Sequence, residues 1–143
     1  MKKYFIFSIL FLIIDRAFKY LSPSINFGGD FLQIGFYPNY SGAFSLPISG
    51  TLYNLAGITF LGIFIYLFIK ELKSIDDYNL QLIAYSYIIL GGASNIFDRL
   101  AYGYVIDYCN FMDFSFFNIA DGILILGIIL LLIAQIKDNI KGI

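Results

Sequence analysis

Two stretches of this chain carry no charged side chain over a length close to that of a bilayer core. They are "TLYNLAGITFLGIFIYLFI" (51–69) and "NLQLIAYSYIILGGASNIF" (79–97). A helix needs roughly 20 mainly apolar residues to cross hydrocarbon, where every backbone polar group must find its partner within the segment. A third stretch, "FFNIADGILILGIILLLIAQI" (116–136), is interrupted only by Asp121. A fourth, over 4–21, begins apolar with "YFIFSILFLII" and then admits Asp15, Arg16 and Lys19. Preceded by "MKK", that segment also has the make-up of a secretory signal. No small-x-small cleavage site follows it, however, and 22–50 is too short for a domain before the next span. An uncleaved first helix is therefore expected.

The fold class that follows is all-α integral membrane, a single domain over 1–143 with four transmembrane helices. Composition agrees, with 59% hydrophobic residues and a mean hydropathy of +0.80. A net charge of -1 offers no clustered basic surface for nucleic acid. One cysteine, Cys109, and no histidine rule out an intrachain disulfide framework and leave a metal centre almost without its usual ligands.

Four spans place both termini on one side. Lys2, Lys3, Lys70, Lys73, Lys137 and Lys141 then share that side, which the positive-inside bias makes cytoplasmic. Residues 70–78 become a cytoplasmic loop, with Asp76 or Asp77 as a helix N-cap. Residues 22–50 and 98–115 become extracytoplasmic. The alternation in "FLQIGF" (31–36) predicts a strand there.

In this orientation the awkward polar residues gather at one outer level. Asp15 and Lys19 share a helix face at i, i+4. Asn95, Asp98 and Arg99 end the third helix, Asp107 follows it, and Asn118 and Asp121 open the fourth. Ionisable groups within a membrane are costly and face a bundle interior or wet cavity, which makes them functional candidates. Blander readings stand beside this one. Asp98 with Arg99, and Asp15 with Lys19, could be headgroup-level ion pairs. Asn95 could supply only an interhelical hydrogen bond, with Gly91 and Gly92 allowing close helix approach. Cys109 reads as a small buried thiol and Asp113 as a solvated loop acid. Asp121 resists such readings, because no basic residue follows it until Lys137. Its partner must come from elsewhere, and Asp107 is close enough along the chain to fold back onto it. Two carboxylates in a low-dielectric pocket cannot both ionise, so such a pair holds one acid and one base. That is what activating a water against an amide requires.

At these residues the chain resembles the lipoprotein signal peptidases (type II signal peptidases) of bacteria. "GGASNIFDRLAYGYVIDY" (91–108) is similar to the family's Gly-Gly-rich, Asn-x-x-Asp-Arg, Gly-x-Val-x-Asp block, and "FNIAD" (117–121) to its Phe-Asn-x-Ala-Asp block. "DRAFK" (15–19) resembles its first-helix Asp-x-x-x-Lys, and "NYSGAFS" (39–45) its Asn-x-Gly-Ala-Ala-Phe-Ser. The resemblance implies an intramembrane aspartyl endopeptidase of the bacterial inner membrane that needs no cofactor. Its substrates would be prolipoproteins, cut before a diacylglyceryl-cysteine held among membrane lipids near the outer leaflet, by an enzyme expected to be a monomer. Asp107 and Asp121 would be the catalytic pair. Asn39, Asn95, Arg99 and Asn118 would take supporting positions, with Asp15 and Lys19 nearby, and Asp98, Gly91 and Gly92 would be structural. The resemblance also implies a small extracytoplasmic sheet drawn from about 22–50. Two departures stand out. Ser41 and Gly42 replace the family's Gly and Ala, and the connection from Asp107 to Asp121 is short, which implies a truncated lid.

Other classes compete. A transporter or proton-conducting protein could use the same acids, but they gather at one level instead of forming a path across. A catalytically inactive paralogue would keep the fold without the reaction. A presenilin-like protease would need a Gly-x-Gly-Asp signature, which "YGYVID" and "NIAD" do not supply.

Overall fold

The apolar runs become helices: α1 (Lys2–Leu21), α2 (Gly50–Glu71), α3 (Leu80–Tyr102) and α4 (Ile119–Lys141). They are seen in a computed structural model that describes residues 2–40, 50–73 and 80–141. Among the described residues, three segments are long and apolar enough to cross a membrane: Gly50–Glu71, Leu80–Tyr102 and Ile119–Ile140. The fourth expected crossing, α1, has 20 residues but is not among them. Asp15, Arg16 and Lys19 crowd its second half. From residue 6 onward its only buried residues are Ser8, Asp15 and Lys19, while Ile6, Phe7, Ile9, Leu10 and Ile13 are exposed. This helix is inside out compared with one in a soluble protein, burying polar side chains and exposing apolar ones.

α3 lies at the centre, in contact with α1, α2 and α4. Its approach to α4 depends on missing side chains. A Cβ on Gly91 would come within 2.5 Å of the Ala120 carbonyl oxygen, and one on Gly127 within 2.9 Å of the Ala84 carbonyl oxygen. Gly92, expected to serve the same purpose as Gly91, does not: nothing lies closer than 3.9 Å to its Cβ position. Small residues at a helix–helix contact let backbones meet closely, and here Gly91 and Gly127 do so from opposite sides. α2 buries no residue and sits at the edge of the bundle.

Between the helices runs a four-stranded antiparallel sheet in the order β1 (Phe27–Gly28), β2 (Leu32–Asn39), β3 (Val105–Phe111), β4 (Ser115–Phe117). The expected strand at 31–36 is β2, extended through Pro38 and Asn39, with an irregular register between Ile34 and Tyr37. Pro38 is tolerated because β1 pairs only with Gln33 and Ile34, leaving β2 an edge further along. Only half of the sheet comes from 22–50. The other half is a hairpin in the connection between α3 and α4, for which the sequence predicts no strand. α3 runs to Tyr102 before the hairpin and α4 starts at Ile119 after it. The hairpin turns at Met112 and Asp113, both in the left-handed region (φ 52 and 55). The Asn110 Oδ1 accepts a hydrogen bond from the Asp113 amide at 3.0 Å and fixes that turn. Asp113 is exposed, as expected, and Cys109 is a half-buried free thiol in β3. The expected N-cap at Asp76 or Asp77 and the Ser41–Gly42 departure fall outside the described residues.

Candidate active site

Each acid is brought in by a different local rule. In β3, Asp107 is 1% exposed and pairs in register with Tyr37, while Asn39 pairs with Val105. Asn39 and Asp107 are thus diagonal neighbours on adjacent strands, within reach of each other's side chains. The Asn39 Nδ2 donates to Asp107 Oδ2 at 2.9 Å. Asp121 arrives through helix capping. Asn118 is the N-cap of α4 and Asp121 its third residue. The Asp121 amide donates to Asn118 Oδ1 at 2.9 Å, and the Asn118 amide donates to Asp121 Oδ2 at 3.1 Å. This reciprocal box satisfies two of the orphan donors of a helix start. It also goes beyond the expectation that Asn118 and Asp121 simply open the fourth helix side by side.

Asn118 joins the two acids. Its Nδ2, in the same side chain that caps α4, donates to Asp107 Oδ1 at 2.7 Å. Asn95, from α3, donates its Nδ2 to Asp121 Oδ1 at 2.7 Å. The Asn95 oxygen accepts from Lys19 Nζ at 3.0 Å and from Asn118 Nδ2 at 3.2 Å, which turns its amide nitrogen towards Asp121. Burial, and then the nearby charge of Asp121, lift the Asp107 carboxyl to about 6 from an ordinary 3.8, against the opposing donors of Asn39 and Asn118.

Beneath the pair lies a network of four charges that sum to zero. Lys19 is fully buried, with Nζ 3.2 Å from Asp15 Oδ2 and 2.8 Å from Asp98 Oδ2. Arg16 Nη1 reaches Asp98 Oδ1 at 2.6 Å. Asp98 therefore pairs with α1 and not with its neighbour Arg99. Consecutive helix residues point about 100° apart, so one faces α1 while the other faces α2. Arg99 is half-buried, lies over the Tyr53 ring at 4.6 Å, and interacts electrostatically with Asp121 and Asp107. Among the described residues, every buried side-chain nitrogen and oxygen has a hydrogen-bond partner. That matters here, because breaking one member of a buried charge network strands the others.

Each acid and amide predicted for the site falls within this cluster. Three contributors escape prediction from sequence. Arg16 reads there only as a charge near the end of the first helix and Ser94 only as a small residue, yet Ser94 Oγ donates to Asp15 Oδ2 at 2.7 Å. Tyr108 is the third. Its visible signal is position, one residue after Asp107 on a strand that buries both faces.

The family described as signal peptidase (SPase) II matches residues 7–137 of the chain. A lipoprotein signal peptidase of Streptococcus agalactiae is 34% identical, covering 96% of this chain and 94% of that protein. One from Staphylococcus aureus is 33% identical, covering 96% and 93%. Two solved bacterial membrane enzymes share the fold. One has a TM-score of 0.80 at 28% identity over 97% of this chain and 90% of that one. The other has a TM-score of 0.78 at 27% identity over 96% and 95%. Together with three apolar helices of spanning length, this likeness makes the chain a multi-pass membrane protein. Matched along nearly its whole length, the chain belongs to the signal peptidase II family.

Proposed function

We propose that Asp107 and Asp121 are the catalytic pair of this aspartic-type protease, which removes signal peptides from lipoproteins. The observation that carries the assignment is that one residue, Asn118, bonds both carboxylates at once: Asp107 Oδ1 through its side chain and Asp121 Oδ2 through its backbone. A single water between the acids loses a proton to the ionised member as its oxygen attacks the scissile carbonyl carbon. The protonated member donates to the carbonyl oxygen, where negative charge develops. When the tetrahedral intermediate collapses, the C–N bond breaks and a carboxyl returns a proton to the departing amine of the cysteine. The pair titrates as a unit, so the proton belongs to both acids jointly.

The remaining residues hold this arrangement. Asn39 and Asn95 each aim an amide at one acid. Arg99, anchored on Tyr53, is placed to bind substrate carbonyl or ester oxygens. Asp15, Lys19 and Asp98 form the scaffold below. We read the inside-out α1 as a fourth membrane crossing. Both termini are then cytoplasmic, and the acids lie near the outer leaflet of the bacterial inner membrane. A diacylated cysteine anchored at the headgroups presents its peptide bond at that depth, where the exposed apolar faces of the helices receive acyl chains and signal helix. One chain supplies both acids, so the proposed site is complete within a single copy.

The purified protein, incubated in detergent with a diacylated prolipoprotein and with the same protein unlipidated, tests this reading. Release of the signal peptide from the lipidated form alone is expected. Equal release from both would remove the lipid from the recognition.

A further inference from the structure

The first turn of α4 is held by more than its own cap. The amide of Ile119, its first residue, donates to the Tyr108 hydroxyl at 2.9 Å, and the amide of Ala120 donates to Asp15 Oδ1 at 3.1 Å. The same hydroxyl donates to Asp15 Oδ1 at 3.1 Å. Three elements thus meet at one point: β3 through Tyr108, α1 through Asp15, and the start of α4. Tyr108 is 2% exposed and its ring stacks on Phe18 of α1, with centroids 5.3 Å apart. Burial first, and then the charge of Asp15, raise its phenol, so the hydroxyl stays protonated and keeps both roles.

We infer that Tyr108 is a positioning residue for the reaction: its hydroxyl, with Asp15, clamps the start of α4 and so sets where Asp121 stands relative to Asp107. Asp107 and Tyr108 are consecutive in β3, while Ile119 and Asp121 are two residues apart in the first turn of α4. The Tyr108–Ile119 bond therefore ties the strand carrying one acid to the helix carrying the other, separately from the Asn118 bridge. The hydroxyl belongs to a buried side chain, so deleting it takes from the Ile119 amide an acceptor that the ring cannot replace, and the first turn relaxes to find another. Displacement of this kind slows chemistry more than binding, since in-line placement of both acids matters only in the transition state.

The inference rests on the catalytic pair proposed above, and its test separates the two. Tyr108→Phe keeps the stacked ring and deletes only the hydroxyl. In detergent, with diacylated prolipoprotein, kcat is expected to fall about tenfold or more with KM within about twofold of the parent. The pH profile of kcat is expected to shift as the acids change their spacing. Phe18→Leu disturbs the same packing but keeps the hydroxyl, and is expected to lower the melting temperature with kcat per folded enzyme near the parent value. If Tyr108→Phe lowers only the melting temperature, leaving kcat and pH profile unchanged, the clamp is wrong. Equal losses of kcat in both variants would also overturn it, by making packing the cause. Should Tyr108→Phe not fold, Asp15→Ala removes the oxygen that accepts from both the Tyr108 hydroxyl and the Ala120 amide. An unchanged kcat and pH profile there would again reject it. Asp121→Asn, assayed alongside, is expected to be inactive. Activity in that variant would instead reject the catalytic pair.

Discussion

Asn118 concentrates two jobs in one side chain, capping α4 through Oδ1 and bonding Asp107 through Nδ2. Asn118→Ala is expected to lower the melting temperature by an amount consistent with about 1 kcal/mol for a lost cap. It is also expected to lower kcat by about tenfold or more, which a cap with no role in the reaction would not do. Asn39 offers a second test, through pH. Its amide favours the ionised form of Asp107, whose ionisation lies near 6 because burial and the charge of Asp121 raise it. Without that donor the raising influences act less opposed, so Asn39→Ala is expected to move this ionisation to higher pH. The pH dependence of kcat/KM, which reports the free enzyme, measures the shift. A downward shift would contradict the assigned bond. At this scale the sequence is most informative about the acids, because a carboxyl inside an apolar run has few innocent explanations. It says little about Tyr108 or Arg16. One tyrosine of 12 and an arginine at a helix end each have ordinary uses, and only contact partners tell them apart.

At the scale of elements, the helices are legible because charge-free runs have few other homes. The hairpin of β3 and β4 is not. Short apolar runs such as "SFF" (115–117) look alike in a strand and at a helix start until a partner strand is seen. The sheet nevertheless controls the site, since Asp107 and Asn39 meet only through the β2–β3 register. Helix contacts divide the two neighbouring glycines. A methyl group at Gly91 would press on the backbone of α4 at Ala120, beside the first turn that carries Asp121. Gly91→Ala is expected to destabilise the protein by about 1–3 kcal/mol, the usual cost of overpacking, and to reduce activity with it. Gly92→Ala, which would meet only ordinary contacts with Leu61 and Leu124 at 3.9 and 4.0 Å, is expected to leave both unchanged. Thermal unfolding in detergent would compare them, and equal effects would contradict the close approach of α3 and α4 at Gly91.

Among the described residues, the bundle buries Asp15, Lys19, Asp98 and Asp107 while many large apolar side chains of its helices are exposed, the reverse of the solvent logic of a soluble protein. Asp15, Lys19, Asp98 and Arg16 bind α1 to α3 and thereby close the bundle around the acids. Lys19→Met fills much of the same space but leaves Asp15 and Asp98 without their shared cation. A loss of about 3–5 kcal/mol is expected, the usual cost of breaking a buried ion pair from one side. It is measurable as loss of folded protein on heating in detergent. An unchanged melting temperature would mean that the four charges do not act together. The sequence puts these residues at one level and pairs Asp15 with Lys19, but it does not give Asp98 its partners Arg16 and Lys19, because pairing between helices depends on which way each helix face turns in the bundle.

We propose that two carboxylates, one from a strand and one from a helix cap, act together on one water. Cleavage of a diacylated prolipoprotein by the purified Asp107→Asn and Asp121→Asn variants, each first shown to be folded in detergent, tests it most directly. Both are predicted to release no signal peptide while the parent protein releases it fully. Cleavage at the parent rate by either variant would show that the replaced carboxyl takes no part in the reaction.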